Sequence, residues 1–185
     1  MEKSITFKEL SQRWLSVSSL GKTYTYQQNL QSYINHLNNG IGECKVTDVK
    51  PAHIDEIIRR LYIENPNTKK PTSKKVLKNI VDCATRIFDY AIENELIYKN
   101  PARNKKKVIP KNAPTKIVGA ITPEQQQLVI DTEHRAKIAA VIMMFMGLRT
   151  GEVLALEWGD IDLVNYKFSV NKRTQRISSN KYIVT

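Results

Sequence analysis

The sequence has few cysteines and no long apolar run. Its two cysteines, Cys44 and Cys83, are isolated, with no Cys-x-x-Cys pair and no nearby histidine cluster, so neither a zinc site nor a disulfide is indicated. No apolar segment approaches the roughly 20 residues that a membrane-spanning helix needs. The N-terminus also lacks the apolar stretch of a signal peptide. These absences predict a cytoplasmic chain with no membrane association.

The formal net charge of +11 is concentrated in two segments. Residues 66–80 contain five lysines and no acid, and residues 99–116 contain seven basic residues and no acid. Such clustering is the electrostatic footprint of a surface that binds a polyanion. A solvated lysine face or a solubilising linker would explain either segment alone. The two segments in one chain favour nucleic acid as the partner.

Capping signals and apolar residues at helical spacing predict helices in the first part of the chain. A Thr6-x-x-Glu9 capping box precedes a helix over about residues 7–18. A second apolar pattern predicts a helix over about residues 23–38, with Gly40 as its stop.

Two further helices complete the predicted bundle. Pro51 is placed for the start of a third helix, and the fourth pattern runs from Val76 to Ile92 over about five turns. Four amphipathic helices with short links make a small bundle.

The start of the fourth predicted helix carries a group of hydrogen-bond donors. A helix N-terminus attracts phosphate through its dipole and free amides, and lysine and amide side chains contact phosphates and base edges. The predicted DNA contacts here are Lys74, Lys75, Lys78 and Asn79. The alternative is that Thr72 or Ser73 simply caps the helix and the lysines are solvated.

The second basic segment, residues 99–116, contains three prolines and almost nothing apolar. This composition predicts a linker between domains that lies along DNA phosphates without packing on either domain. Lys105, Lys106 and Lys107 are its predicted phosphate contacts.

Beyond the linker, Thr122 begins another helical region that extends to about Leu156. Residues 166–170 and 181–185 are predicted to form the two strands of one hairpin.

Arg149 lies at a glycine-broken helix junction within apolar sequence. Such an arginine is predicted to be half-buried, and its planar fork of donors then needs a carboxylate or a phosphate. Glu152, three residues on, is placed to orient it or simply to neutralise it. A structural ion pair is the commoner outcome for an Arg-x-x-Glu sequence.

The surrounding segment resembles the motif around the first catalytic arginine of the tyrosine recombinases, the phage-integrase family. The remainder of the chain resembles a phage integrase as well. The matching residues are Gly147, Leu148, Arg149, Glu152, Leu156, Trp158, Asp160, Ile161 and Asp162.

This resemblance implies a mainly α protein that begins with a four-helix core-binding (SAM-like) bundle over residues 1–98. A basic interdomain linker over residues 99–116 would follow. Residues 117–185 would then be the α-helical and β-hairpin start of a truncated α+β catalytic domain.

The resemblance also implies site-specific recombination of duplex DNA through a phosphotyrosine intermediate, without a metal or nucleotide cofactor. Arg149 would hold the non-bridging oxygens of the scissile phosphate, and Glu152 would hold Arg149. Full-length family members act as tetramers on DNA, and a complete tetramer of this chain is not expected. No membrane or small-molecule ligand is expected.

The later catalytic residues of the family are not identifiable in this sequence. No histidine has an arginine three residues on, and Tyr166 and Tyr182 fall within the predicted hairpin. Lys172 and Lys181 lie in the region of the family's general acid, but neither is assigned. The sequence therefore predicts the N-terminal half of an integrase of mobile DNA, which binds DNA and does not cleave it.

Two other functions are open at this point. One is a non-catalytic DNA-binding module derived from an integrase. The other is a basic helical RNA-binding protein, although the sequence has no RNP-like strand motif or Gly-x-x-Gly loop to favour it.

Overall fold

The computed structural model describes residues 5–116 and 118–185. The chain forms two compact units, Met1–Ile117 and Val118–Thr185. The first unit is a helical bundle, and the second combines helices with short antiparallel strands, so the predicted mainly α fold is confirmed. The helices of the first unit are α1 (Phe7–Ser18), α2 (Tyr24–Ile41), α3 (Pro51–Ile63) and α4 (Lys74–Glu93), with 3-10 turns at Val46–Asp48 and Lys105–Val108.

Local capping sets the beginnings of these helices. The Thr6 hydroxyl accepts the Glu9 backbone N–H, and the Glu9 carboxylate accepts the Thr6 N–H at 2.9 Å, so the predicted capping box is confirmed. Thr23 and Ser73 cap α2 and α4 with their hydroxyls. Each cap satisfies a backbone N–H that lacks a partner within the helix.

The core of the bundle lies around α4. Its apolar face buries eight residues, among them Ala84, Ile87 and Phe88, each 0% exposed. The Phe88 ring lies 5.3 Å from the ring of Phe7 on α1. Cys83 is part of this face, and burial raises the pKa of its thiol to about 12. Its side chain is therefore a small core residue rather than a reactive thiol.

Gly40 lies inside α2 and does not end it, contrary to the prediction. The helix continues to Ile41, with Gly42 as its C-cap. A Cβ atom on Gly40 would lie 2.6 Å from Cγ1 of Ile57 on α3. Glycine at this position therefore permits the close approach of α3 to α2.

Residues 99–116, called the basic strap from here on, pack on the helical bundle. Ala102, Ile109 and Ala113 are buried, with exposures of 0%, 6% and 4%. The Asn100 amide donates to the Asp89 carboxylate at 2.7 Å. The expectation that this segment has nothing to pack is wrong, because small apolar side chains between the lysines reach the core. The boundary at residue 98 stays a prediction.

The second unit contains three helices and four short strands. The Asp162 carboxylate accepts the backbone N–H groups of Val164 and Asn165, each at 3.0 Å, and so closes a tight turn. Its elements are α5 (Pro123–Asp131), α6 (Lys137–Met146), α7 (Thr150–Val153), β1 (Ile161–Asp162), β2 (Lys167–Phe168), β3 (Thr174–Arg176) and β4 (Tyr182–Val184).

The strands form two separate antiparallel pairs, β1 with β2 and β3 with β4. Phe168 lies opposite Ile161, and Val184 lies opposite Thr174. The predicted pairing of residues 166–170 with 181–185 is therefore wrong. The turn at Asp162 brings β2 back against β1, which precedes it in the chain, and β4 pairs with β3.

The second unit buries little apolar surface. Among its described residues, Leu148 and Ala155 are the buried apolar side chains, whereas Ile138 and Phe145 of α6 are 75% and 61% exposed. Since burial of apolar surface is the main stabilising contribution in a protein fold, this unit is much less stabilised than the bundle. No helix in the described part of the chain is long and apolar enough to cross a membrane.

Candidate functional site

Arg149 lies at the junction between α6 and α7. Gly147 ends α6 in the left-handed region at φ 69°, a conformation that glycine adopts without strain, and Arg149 is the N-cap of α7. The Glu152 carboxylate accepts the Arg149 backbone N–H at 2.8 Å through Oε2. Its Oε1 accepts a bond from Nη1 of the Arg149 guanidinium at 3.0 Å. Glu152 thus holds both the backbone and the side chain of Arg149.

The guanidinium of Arg149 is exposed, which corrects the expectation that it is half-buried. The Arg149 side chain is 88% exposed, whereas that of Glu152 is 20% exposed. The carboxylate is therefore the shielded member of the pair. Among the described residues, Glu152 is the one acceptor that bonds to the Arg149 guanidinium, so the other N–H groups of the guanidinium are open to an external anion.

The electrostatics of this pair keep Glu152 ionised. The hydrogen bond from the Arg149 backbone N–H is the main cause that lowers the pKa of the Glu152 carboxyl, and the bond from the Arg149 side chain acts in the same direction. An ionised carboxylate is what a guanidinium needs in order to be held in one orientation.

Strand β3 packs directly against α7. A Cβ atom on Gly151 would lie 3.0 Å from the Thr174 carbonyl oxygen, and the Thr174 hydroxyl donates to the Gly151 carbonyl at 3.3 Å. This contact places the beginning of β3 beside the Arg149–Glu152 pair. A shallow depression of about 360 Å³ lies there, lined by Glu152, Val170, Asn171, Lys172, Arg173 and Thr185.

Lys172 is held by two acids. Its ammonium group lies 2.8 Å from the Glu157 carboxylate and 3.2 Å from that of Asp160. The hydrogen bond to Glu157 is the main cause that raises the pKa of Lys172. Lys172 therefore fixes the start of the β3 region to the turn around Trp158.

The two tyrosines near the end of the chain lie in or beside the strands. Tyr182 is part of β4, and Tyr166 lies in the turn before β2 at φ 53°. Neither is assigned as a nucleophile.

The four predicted DNA contacts at the start of α4 divide into two kinds. Lys75 and Lys78 are exposed. The Lys74 ammonium donates to the Lys111 carbonyl at 3.0 Å, and the Asn79 amide donates to the Tyr33 hydroxyl at 2.9 Å. The first pair is free to meet a ligand, whereas the second pair also stabilises the unit.

The three strap lysines divide in the same way. Lys105 lies 2.7 Å from the Asp55 carboxylate and its side chain is only 16% exposed. Lys106 pairs with Asp82 on α4. Lys107 is exposed, and no described acid lies within ion-pair distance of it. These two ion pairs were not predictable, because Asp55 and Asp82 lie on helices distant in the chain from the strap.

A depression between α2 and α4 is lined by further polar residues that were not among the predicted DNA contacts. Tyr33 contacts Asn79 there, and Nη1 of Arg86 lies 3.4 Å from the Tyr26 hydroxyl. The depression has a volume of about 270 Å³ and is also lined by Asn29. Tyr26 and Tyr33 are spaced seven residues apart on α2, and this repeat of hydroxyls on one helix face was the available signal.

A family model described as the phage integrase central domain matches residues 7–108, more than half of the chain. The chain belongs to the phage integrase family. The match covers the helical bundle and most of the basic strap, so the family assignment rests on the first unit. The resemblance noted around Arg149 lies outside the matched residues.

Curated relatives extend the similarity to nearly the whole chain. A tyrosine recombinase XerC-like protein of Caldanaerobacter subterraneus subsp. tengcongensis is 26% identical over 184 residues, in a match that covers 95% of this chain and 46% of that protein. The ICEBs1 integrase of Bacillus subtilis is 25% identical over 175 residues, in a match that covers 92% of this chain and 45% of that protein. The chain therefore spans about half the length of these relatives.

Solved structures show the same fold. The Tn1549 transposon integrase, in complex with circular intermediate DNA, has a TM-score of 0.80 and 21% identity, with 98% of this chain and 59% of that chain covered. A lambda integrase dimer bound to a core site has a TM-score of 0.68 and 17% identity, with 99% and 49% covered. Both support the fold of the described units.

Proposed function

We propose that this chain is the DNA-binding and arginine-bearing part of a tyrosine recombinase that integrates mobile DNA. The observation that carries the proposal is the geometry of Arg149: Glu152 fixes it with bonds of 2.8 and 3.0 Å while 88% of its side chain faces outward. The 2.8 Å bond holds the backbone of Arg149 and the 3.0 Å bond orients its guanidinium, whose remaining donors can bind an anion from outside the chain.

The proposed DNA-binding surface belongs to the first unit. Lys75, Lys78 and Lys107 are its direct phosphate contacts, because they are exposed and no described acid pairs with them. Lys74 and Asn79 contribute while they also anchor the strap and α2. Lys105 and Lys106 act mainly by holding the strap on the bundle and add positive charge beside the contacts.

The domain organisation that supports this function is also a proposal. Residues 1–98 form the core-binding bundle, residues 99–116 connect it to the second unit, and residues 117–185 begin the catalytic domain. The burial of Ala102, Ile109 and Ala113 supports a connection that is docked on the bundle rather than free.

The proposed reaction is attack by a tyrosine hydroxyl on the scissile phosphate of duplex DNA. The resulting crowded phosphate carries extra negative charge, and a preorganised donor such as Arg149 stabilises that charge by about 3 to 4 kcal/mol. Glu152 is the residue that positions Arg149. No tyrosine of this chain is assigned as the nucleophile, so the 185-residue chain is proposed to bind DNA without cleaving it.

A non-catalytic DNA-binding module is the second candidate function. It is favoured by one observation: Tyr182 lies within β4 and Tyr166 in the turn before β2, so neither is assigned as a nucleophile. Lambda integrase has been solved as a tetramer bound to a Holliday junction. We also propose that the chain assembles on DNA and that it acts in the cytoplasm.

The DNA-binding proposal is tested by fluorescence anisotropy. The whole chain is titrated against a labelled duplex of about 30 base pairs at salt concentrations from about 50 to about 250 mM. Several phosphate contacts predict that log affinity falls by several units per unit of log salt, at about 0.9 per contact. A slope near zero contradicts the proposal. Binding to a duplex RNA of the same length with equal affinity and slope would favour a general polyanion surface instead.

A further inference from the structure

A second arginine lies beside the Arg149–Glu152 pair. Arg173 directly precedes β3, and its backbone exchanges two hydrogen bonds with Thr185, each 2.9 Å long. These two bonds fix the backbone of Arg173 in space at the edge of the β3–β4 sheet. The Arg173 residue itself is exposed.

The packing of β3 on α7 brings Arg173 to the site. At this close approach, a Cβ atom on Gly151 would crowd the Thr174 carbonyl oxygen at 3.0 Å. Glu152 and Arg173 line the same depression of about 360 Å³. The positive charge of Arg173 acts on the Glu152 carboxyl, together with the larger effect of Arg149.

Among the charged residues of this depression in the described chain, Arg173 has no ion-pair partner. Lys172, the neighbour of Arg173, is already paired with Glu157 and Asp160. Glu152 is hydrogen-bonded to Arg149, and no acid in the described chain lies within ion-pair distance of Arg173. Arg173 is therefore a basic residue of this depression that no described acid pairs with, and its guanidinium is open to an external phosphate.

We propose that Arg173 is a second phosphate contact, which binds a phosphodiester of duplex DNA next to the one held by Arg149. This inference rests on the proposed function, because it adds a residue to the proposed phosphate site around Arg149 in the second unit. Arg173 is a binding residue rather than a catalytic one. The planar fork of arginine suits this role, since it donates two parallel hydrogen bonds to phosphate oxygens.

The test compares Arg173→Gln with Arg135→Gln in the whole chain. Arg135 is an exposed arginine of the same unit, just before α6. Its replacement by glutamine makes the same change in net charge as Arg173→Gln. In the duplex titration over salt, Arg173→Gln is expected to lower the slope of log affinity by about 0.9, the contribution of one phosphate contact. Arg135→Gln is expected to leave the slope unchanged, and Arg173→Lys to retain most of it.

The outcomes separate this inference from the proposed function. A wild-type slope near zero refutes DNA binding as a whole. A steep wild-type slope with equal slopes for Arg173→Gln and Arg135→Gln refutes only the role of Arg173.

Nuclear magnetic resonance provides a second measurement that does not depend on the folding of Arg173→Gln. The side-chain Nε signal of Arg173 is assigned by its loss in Arg173→Lys. In the wild-type chain, this signal is expected to shift when duplex is added. An unshifted signal at saturating duplex overturns the inference.

Discussion

The ammonium group of Lys105 lies 2.7 Å from the Asp55 carboxylate, in an ion pair between residues 50 apart in the sequence. This pair fastens the basic strap to α3. It also means that charge in the strap has two separate uses, attachment to the bundle and contact with a ligand. Lys105 and Lys107 represent the two uses within three residues of sequence.

Lys105→Gln is expected to destabilise the first unit. The pair is only partly buried, so its loss is expected to cost about 1 to 2 kcal/mol, between the values for exposed and buried ion pairs. Thermal unfolding followed by circular dichroism measures this as a fall in Tm of about 5 °C. Lys107→Gln is the matched control, and its Tm is expected to remain within about 1 °C of wild type, as for an exposed surface change.

In DNA binding the same two variants are expected to differ in the opposite sense. Lys107→Gln lowers the salt slope by about 0.9, because it removes one phosphate contact. Lys105→Gln leaves the slope nearly unchanged at a temperature where the unit is folded. Equal slopes for Lys107→Gln and wild type would exclude Lys107 from the proposed surface.

The sequence was sufficient for the parts of the fold that are set locally. The Thr6–Glu9 capping box and the apolar period of α4 involve residues within a few turns of each other, so both were predictable. The Lys105–Asp55 pair was not, because it joins residues that only the folded bundle brings together. The pairing of the strands was not predictable from their apolar pattern. The Asp162 side chain sets the turn between β1 and β2 through hydrogen bonds to the backbone N–H groups of Val164 and Asn165.

The candidate site shows the same division. The Arg149–Glu152 spacing predicted their contact, since residues three apart on a helical turn are neighbours. The outward direction of the guanidinium was not predictable, because it depends on how α7 follows the glycine turn. Arg173 reaches the site only through the packing of β3 on Gly151, and nothing in its local sequence indicates this.

Gly40→Ala is expected to destabilise the bundle by about 1 to 3 kcal/mol, because the added methyl overpacks the contact with α3. The new Cβ would lie 2.6 Å from Cγ1 of Ile57, which is itself buried. In an exposed helix the same change stabilises by up to about 1 kcal/mol, so the sign of the effect is diagnostic. Urea unfolding measures it. Ile57→Ala in the Gly40→Ala background is expected to cost less than it does in the wild-type chain.

The stability of the bundle is expected to fall below about pH 6.5 because of His36. Burial, followed by the charge of Arg60, lowers the pKa of His36, so the unfolded chain binds a proton at a higher pH than the folded chain does. This stability is fully present above the unfolded pKa and is lost as pH falls from there toward the folded pKa. Urea unfolding between pH 7.5 and 5 measures the loss. His36→Gln is expected to show a smaller decrease over this range, and an unchanged decrease would contradict the role of His36.

The chain of 185 residues is expected to bind duplex DNA without forming a covalent bond to it. Arg149 is held by Glu152, but Tyr182 lies within β4 and Tyr166 in a turn, and groups that act as a unit lose most of their rate when one is absent. A nicked substrate that carries the cognate site, followed by denaturing electrophoresis, is the direct measurement. A protein–DNA band that disappears in Tyr182→Phe or Tyr166→Phe would identify a nucleophile in this chain and contradict the expectation.

In a full-length protein, Arg149→Lys is expected to slow cleavage by roughly two to three orders of magnitude while it preserves DNA binding, because lysine keeps the charge and loses the fork.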